Sequence, residues 1–321
     1  MNRRSLTLLG AALALAPLLG QAQSFPEKPI TFVVPFAAGT ATDQIARALG
    51  NVITAETKQA VVIDNRAGAS GFIASQFVAK APADGYTVLI TTNTTHAANE
   101  HLYKKLPYDP VKDFAPVAGL GKGGQIMVVN SSSNVKSVAD FIALAKKEPG
   151  KLSFGSGSSS SRMAGELLQQ MADIKLLHVP YKSNTLAVTD LLGGQIDMMI
   201  TDTATGLPQV KGGKLRALGM SSASRSPLAP DVPTIAEAGV KGYEMGYWFA
   251  AYAPAKTPPA VVKRLNELLV KAAKSDSAKT AFYEPSGTEV FTTTPEDLAK
   301  FQAGESQKWG RIVKAAGIEA E

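Results

Sequence analysis

The chain has 321 residues, 45% of them hydrophobic, with a formal net charge of +6, three histidines and no cysteine. That length and apolar content suffice for two cored domains, and zero cysteines exclude disulfides, thiolate metal sites and a lipid-anchor cysteine. The positive excess is thinly spread, as in Lys104-Lys105 and Lys146-Lys147, and lacks the basic stripe with interleaved aromatics that marks a nucleic-acid-binding face.

The first residues read as an export signal. Arg3 and Arg4 form a charged n-region, residues 6–19 an apolar h-region too short to cross a bilayer, and Gly20-Gln21-Ala22 a small-residue cleavage site. Residues 1–22 are therefore expected to be removed, leaving Gln23 first. General secretory export fits better than the twin-arginine route, whose motif is poorly matched beyond the two arginines. No later run approaches the ~20 apolar residues of a membrane span. The expectation is a monomeric protein free in a bacterial periplasm.

Strand and helix patterns then alternate. A strand is expected at 30–34, then a helix at 43–56 with Ile45, Ala46, Leu49, Val52 and Ile53 on one side. A strand at 61–63, a helix at 71–81 carrying Phe72, Ile73, Phe77 and Val78, and a strand at 86–91 follow. This βαβαβ order with nearly continuous apolar strands argues for a parallel sheet covered on both faces. Beyond the glycine-rich stretch 119–124 a second series begins. Strands are expected at 126–129, 152–154, 176–179, 196–200 and 215–220, and helices at 138–147, 158–172 and 186–192. An aromatic strand-like run at 247–252 precedes long amphipathic helices at 258–274 and 294–316. The fold class is thus α/β with two lobes, each a mostly parallel sheet flanked by helices. Residues 23–123 and 248–321 would form the first lobe and 124–247 the second, with hinge strands near 121–124 and 241–246.

The strongest functional signal is the segment from Val33 to Arg47. A short strand runs through Pro35-Phe36-Ala37-Ala38-Gly39-Thr40-Ala41 into a helix opening at Thr42 and Asp43. Loop amides and the positive end of a helix dipole converge there without bulky side chains, which suits a carboxylate or another small anion. Such a loop binds rather than reacts.

Eight motifs in order carry a family resemblance. They are Pro29-Ile30-Thr31-Phe32-Val33-Val34-Pro35-Phe36-Ala37-Ala38-Gly39, Asp64-Asn65-Arg66-Ala67-Gly68-Ala69, Ala83-Asp84-Gly85-Tyr86-Thr87, and Leu106-Pro107-Tyr108-Asp109-Pro110 with Asp113-Phe114. Val179-Pro180-Tyr181-Lys182, Leu191-Leu192-Gly193-Gly194-Gln195-Ile196-Asp197, Gly213-Lys214-Leu215-Arg216-Ala217-Leu218 and Asp231-Val232-Pro233-Thr234 complete the set. The chain resembles the substrate-binding proteins of tripartite tricarboxylate transporters, the Bordetella-uptake-gene type. The resemblance implies a type II periplasmic-binding fold whose lobes close like a Venus flytrap over a small carboxylate, with delivery to membrane permease subunits. The ligand would be a di- or tricarboxylate, an aromatic acid or an amino acid, and no cofactor is expected. The sequence departs from the family where Thr40 follows Gly39 in place of a second glycine, and where Ser183 follows Tyr-Lys.

Candidate ligand-binding residues follow from both lines. Phe36, Ala38, Gly39, Thr40, Ala41 and Asp43 form the first grip, with Asp43 better suited to capping or holding water than to meeting an anion directly. Thr92, Asn93 and Thr94, within the polar run from Thr91 to His96, supply hydroxyls and an amide opposite. Ser156, Gly157 and Ser158 form a second amide-rich turn facing the ligand's far end. Tyr181 and Asp202 follow later strands, and Asp202 either accepts from a ligand amine or hydroxyl or caps the next helix. Trp248 and Phe249 either line the cleft or brace the hinge. His96 and His101 lie on different helix faces, so no metal pair is expected, and His178 reads as structural.

An exported α/β hydrolase is the enzyme alternative. The serines at 156–161 do not form Gly-x-Ser-x-Gly, and none of the three histidines stands in a triad-like setting. A periplasmic sensor presenting its ligand to a signalling receptor would share the fold.

Overall fold

The computed structural model describes residues 25–315 and 317–320, so the expected export signal lies outside the described residues. The first lobe opens with β1 (Ile30–Val34), α1 (Ala41–Thr57), β2 (Val61–Asn65), α2 (Phe72–Ala79) and β3 (Thr87–Thr92). A π-helical turn at Thr94–Ala98 and α3 (Asn99–Leu102) lead to a 17-residue strand, β4 (Phe114–Asn130). Next come α4 (Val138–Lys147), β5 (Ser153–Ser156), α5 (Ser159–Ala172), β6 (Leu177–Pro180), α6 (Asn184–Leu192), β7 (Met198–Asp202), α7 (Thr203–Lys211) and β8 (Leu215–Met220). The chain returns along β9 (Gly246–Pro254) to α8 (Pro259–Lys274). The short turns α9 (Asp276–Ala278) and α10 (Glu284–Ser286), β10 (Glu289–Val290) and α11 (Pro295–Ala315) follow.

The strand order is β2-β1-β3-β9-β4-β7-β5-β6, with β8 and β10 also paired to β4. β1 pairs in parallel with β2 and β3, and β5 with β6 and β7, whereas every ladder made by β4 or β9 is antiparallel. The α/β class and the two lobes are as expected, but parallel pairing is confined to the outer strands. The cause is the chain's path: β4 leaves the first lobe and β9 comes back, so side by side they must run in opposite directions.

The stretch 119–124, near which a hinge strand is expected, is the middle of β4. Its glycines weaken a strand prediction but are demanded by neighbours. A Cβ on Gly121 would come within 2.8 Å of the Thr288 side chain, and one on Gly123 within 2.5 Å of the Tyr247 hydroxyl. The register passes from Gly123↔Tyr247 and Gly124↔Gly246 on β9 to Gln125↔Asp202 on β7. The two lobes therefore meet along this crossing.

Alternation on β1 feeds two cores. Ile30, Phe32 and Val34 pack with Ile45, Leu49, Leu265 and Leu269 beneath α1 and α8, while Val33 joins Leu89, Val78, Trp248 and Trp309 under α2 and α11. A rigid sheet buried on both faces leaves the loops beyond β1 and β3 as the parts free to carry a site.

Candidate ligand-binding site

The β1–α1 loop is shaped by its own side chains. Gly39 has φ +82, a conformation L-residues rarely take, which folds the loop tip back on itself. Thr40 occupies the N-cap position of α1, yet its hydroxyl donates to the Ala37 carbonyl (2.8 Å) and makes no cap bond. The first-turn amides of α1 thus lack a side-chain acceptor, leaving donors and dipole available to an outside anion.

Asp43 braces this loop from behind. Its Oδ2 accepts from the Gly39 amide (2.9 Å) and Arg47 Nε (3.0 Å), and its Oδ1 from Asn65 Nδ2 (3.0 Å), which also donates to the Phe36 carbonyl (3.0 Å). Burial alone would raise its carboxyl pKa, but the bonds from Arg47, Gly39 and Asn65 outweigh that and hold it below the usual range.

Beyond β3 the polar run divides by role. Thr92 faces the cleft, whereas Asn93 donates from Nδ2 to the Gly246 carbonyl (3.1 Å) at the lobe crossing. Thr94 and Asn93 are fully buried, and Thr94 Oγ1 and Asn93 Oδ1 have no partner. Thr95 Oγ1 bonds both Thr91 Oγ1 (2.6 Å) and His96 Nδ1 (2.8 Å). His96 stacks on Tyr252 at 3.9 Å, and complete burial pushes its pKa down to about 3.

The second lobe answers with the β5–α5 turn. Gly157 stands where a Cβ would sit 1.8 Å from the Ser183 carbonyl carbon, so only glycine lets the two backbones approach. Its amide donates to Asn184 Oδ1 (2.9 Å), and Asn184 Nδ2 donates to Asp202 Oδ2 (3.0 Å). Asp202 Oδ1 accepts from the Thr205 amide (2.8 Å) and hydroxyl (2.7 Å), so this carboxylate is a helix cap. Ser158 caps α5 through the Ser161 amide, and Ser156 Oγ lies 2.7 Å from His178 Nε2. The Tyr181 hydroxyl donates to Asp190 Oδ2 (2.8 Å); burial and that carboxylate push its pKa up to about 12.

Two adjoining cavities lie between the lobes, sharing Phe36, Gly157 and Ser158 as walls. The inner one, about 40 Å³, is also lined by Thr40, Ala41, Thr92 and Asp202; the outer one, about 290 Å³, by Ser156 and Tyr181. Of the residues expected from sequence, these nine meet across the cleft. Ala38 and Gly39 sit at the exposed loop tip, and Asp43, Asn93 and Thr94 support the walls without lining them.

Sequence reasoning missed Thr42, Gln125, Asn184 and Tyr247 in the inner cavity, and Ser70, Tyr103 and Arg162 in the outer one. Gln125 Oε1 is buried there without a partner. Period-two alternation could have resolved the aromatics: Tyr247 and Phe249 line the inner cavity, while Trp248 faces the other side and donates to Glu305 Oε2 (3.2 Å). Among the described residues no group of three or more His, Cys, Asp or Glu could hold a metal, and no helix is long and apolar enough to cross a membrane.

This geometry has relatives. The sequence profile of a tripartite tricarboxylate transporter family receptor matches residues 45–318. A protein from the tcbD-tcbE intergenic region of Pseudomonas sp. strain P51 is 38% identical over 316 residues, covering 97% of this chain and 94% of that one. The structure of Rpa4515 from R. palustris with adipate superposes with a TM-score of 0.90 at 36% identity, covering 92% of this chain and all of the other. The periplasmic binding protein BugD gives 0.88 at 31% identity over 92% of this chain and all of its own.

Proposed function

Because this chain belongs to the tripartite tricarboxylate transporter receptor family, we propose that it captures a small carboxylate in the periplasm and hands it to membrane permease subunits. Solute binding is the common property of its structural neighbours, one of which holds adipate. The observation that carries the carboxylate reading is the first turn of α1. Its amides have no side-chain cap, and Thr40, Ala41 and Thr42 line the inner cavity. An acid group entering there receives several N–H donors and the helix dipole at once. Thr92 faces that position from β3, and Ser158 and Gln125 close it from the second lobe.

The lobes are proposed to divide at 123/124 and 247/248, with 23–123 and 248–321 moving as one body and 124–247 as the other. Bending at that crossing would open the cleft for entry and exit.

Binding without chemistry is part of the proposal. Ser156 and His178 have the separation of a nucleophile and its base, but Ser156 is only 5% exposed. The adjacent Gly157 amide, the nearest oxyanion donor along the chain, is already bonded to Asn184. Mass spectrometry of ligand released from natively purified protein should find a carboxylic acid. The same acid added back should stabilise the fold by about 2.7 kcal/mol at a hundredfold excess over Kd and be recovered intact. Chemical conversion of the acid would refute the receptor reading.

A further inference from the structure

Tyr247 stands where the inner cavity meets the line along which the lobes are proposed to divide. Its ring lines that cavity beside Phe249, with 5.2 Å between ring centres. Its hydroxyl is turned toward residues that line neither ligand cavity. It lies 3.0 Å from Thr203 Oγ1, at the start of α7 in the second lobe, and 2.9 Å from Thr288 Oγ1, which follows α10 in the first. The Ser286 hydroxyl in turn donates to Thr288 Oγ1 (2.8 Å). All four residues are buried. Each hydroxyl has one proton to give, so the donors run in one direction, from Ser286 through Thr288 and Tyr247 to Thr203.

Glycines make room for this cluster. A Cβ on Gly123 would crowd the Tyr247 hydroxyl, and one on Gly121 the Thr288 side chain, just where β4 approaches the crossing. Beyond the hydroxyls lies a third space, about 410 Å³, bordered by Thr203, Met220 and Leu228 of the second lobe and by Tyr283 and Thr288 of the first. The cluster thus separates the inner cavity from a second gap between the lobes. Moving Thr288 away from Tyr247 by about 0.7 Å takes their bond out of hydrogen-bonding range, and the neighbouring space admits water in its place. The bond therefore counts as one net hydrogen bond, without the full penalty of an orphaned buried group.

Resting on the receptor reading above, we infer that Tyr247 is a positioning residue that couples the ligand seat to the lobe angle. Thr203 holds its hydroxyl from α7, Thr288 latches it to the other lobe, and the same ring forms part of the inner cavity wall. A ligand seated against that ring favours the lobe arrangement in which the latch is made, and breaking the latch favours release.

Thr288→Val is the decisive variant, because Thr288 lines neither ligand cavity and valine keeps its shape. Adipate, held by the R. palustris relative, is the probe; if the native protein releases a different acid, that acid replaces it. Calorimetry should show affinity about three- to tenfold lower, the worth of one net hydrogen bond, with correspondingly faster release. Tyr247→Phe keeps the ring and should lose a similar factor, and the double variant little more, because both changes remove the same bond. The chain has no cysteine, so Lys80→Cys and Lys175→Cys, exposed on opposite lobes, take spin labels at those two sites alone. The distance distribution between the labels in the acid-free protein should shift in both latch variants. Lowered stability with affinity and lobe distances unchanged would make the contact merely structural and overturns the inference. If neither adipate nor any recovered acid binds the wild type, the receptor reading fails, and the label distances alone decide the latch.

Discussion

Asp43→Asn isolates the brace behind the β1–α1 loop with almost no change in shape. At neutral pH the wild-type side chain is ionised and accepts three hydrogen bonds, from Gly39, Arg47 and Asn65. Asparagine has one oxygen left. Turned toward Asn65 it keeps that bond, but its NH2 then faces the Gly39 amide and Arg47. Turned the other way it opposes the Asn65 amide. The first arrangement costs less, since Arg47 is 51% exposed and can return to water. What remains is one charge-assisted bond to a backbone N–H, about 1.5 kcal/mol, or about a 3 °C fall in Tm for a chain of this size. Because that bond fixes the loop leading into α1, binding must re-form the loop at the same cost, and affinity should fall about tenfold. Urea unfolding and calorimetric titration with the acid recovered from the native protein measure the two effects. Unchanged affinity with lowered stability would mean that the loop's shape is irrelevant to binding, and the argument for the α1 first turn would fail with it.

Three further outcomes follow from the structure. Gly157→Ala should cost at least about 3 kcal/mol by chemical denaturation, since its methyl group meets backbone at 1.8 and 2.1 Å with nothing flexible to yield. Asn99→Ala should cost about 2–4 kcal/mol, because Asn99 donates to the Ser70 carbonyl (2.9 Å), reaches the Tyr108 hydroxyl (3.3 Å) and accepts from Ser159 of the other lobe (2.9 Å). A denaturation midpoint equal to wild type would remove it as a tie between the lobes. His96, neutral in the fold with a pKa near 3 against 6.5 when unfolded, leaves the native state with fewer bound protons between those values. Its contribution is therefore intact above about pH 6.5 and declines toward pH 3 with a limiting slope of about 1.4 kcal/mol per unit. His96→Phe should flatten urea-derived stability against pH in that window, and an identical profile would exclude the histidine as its source.

What was legible in the sequence is what local pattern encodes. A strand, a run of small residues and a helix announce the β1–α1 loop, and a serine run between a strand and an apolar-periodic helix announces the β5–α5 turn. Both turns do border the cleft. Residues set by long-range pairing stayed hidden. Gln125 reaches the inner cavity because β4 crosses from β9 to β7 at that point in the register. Asn184 matters because the ends of β5 and β7 converge on the start of α6. Neither carries a motif. What requires the 119–124 glycines is hidden for a related reason: their partners, Thr288 and Tyr247, come from more than a hundred residues downstream. Asp202 illustrates a question the residues alone left open, since capping or ligand contact was undecided until the position of Thr205 was known.

The continuous strand β4 has a consequence for how the molecule holds together. Its first part pairs with β9 and β10, its last part with β7 and β8. Cutting the chain near Gly123 would separate β3 and the first part of β4 from β9, the strand that lies between them, and leave raw edges on both fragments. Neither lobe can therefore be excised as a self-sufficient fragment, and melting of one withdraws support from the other. A protein shaped as two pieces is, in its folding energetics, a single cooperative unit.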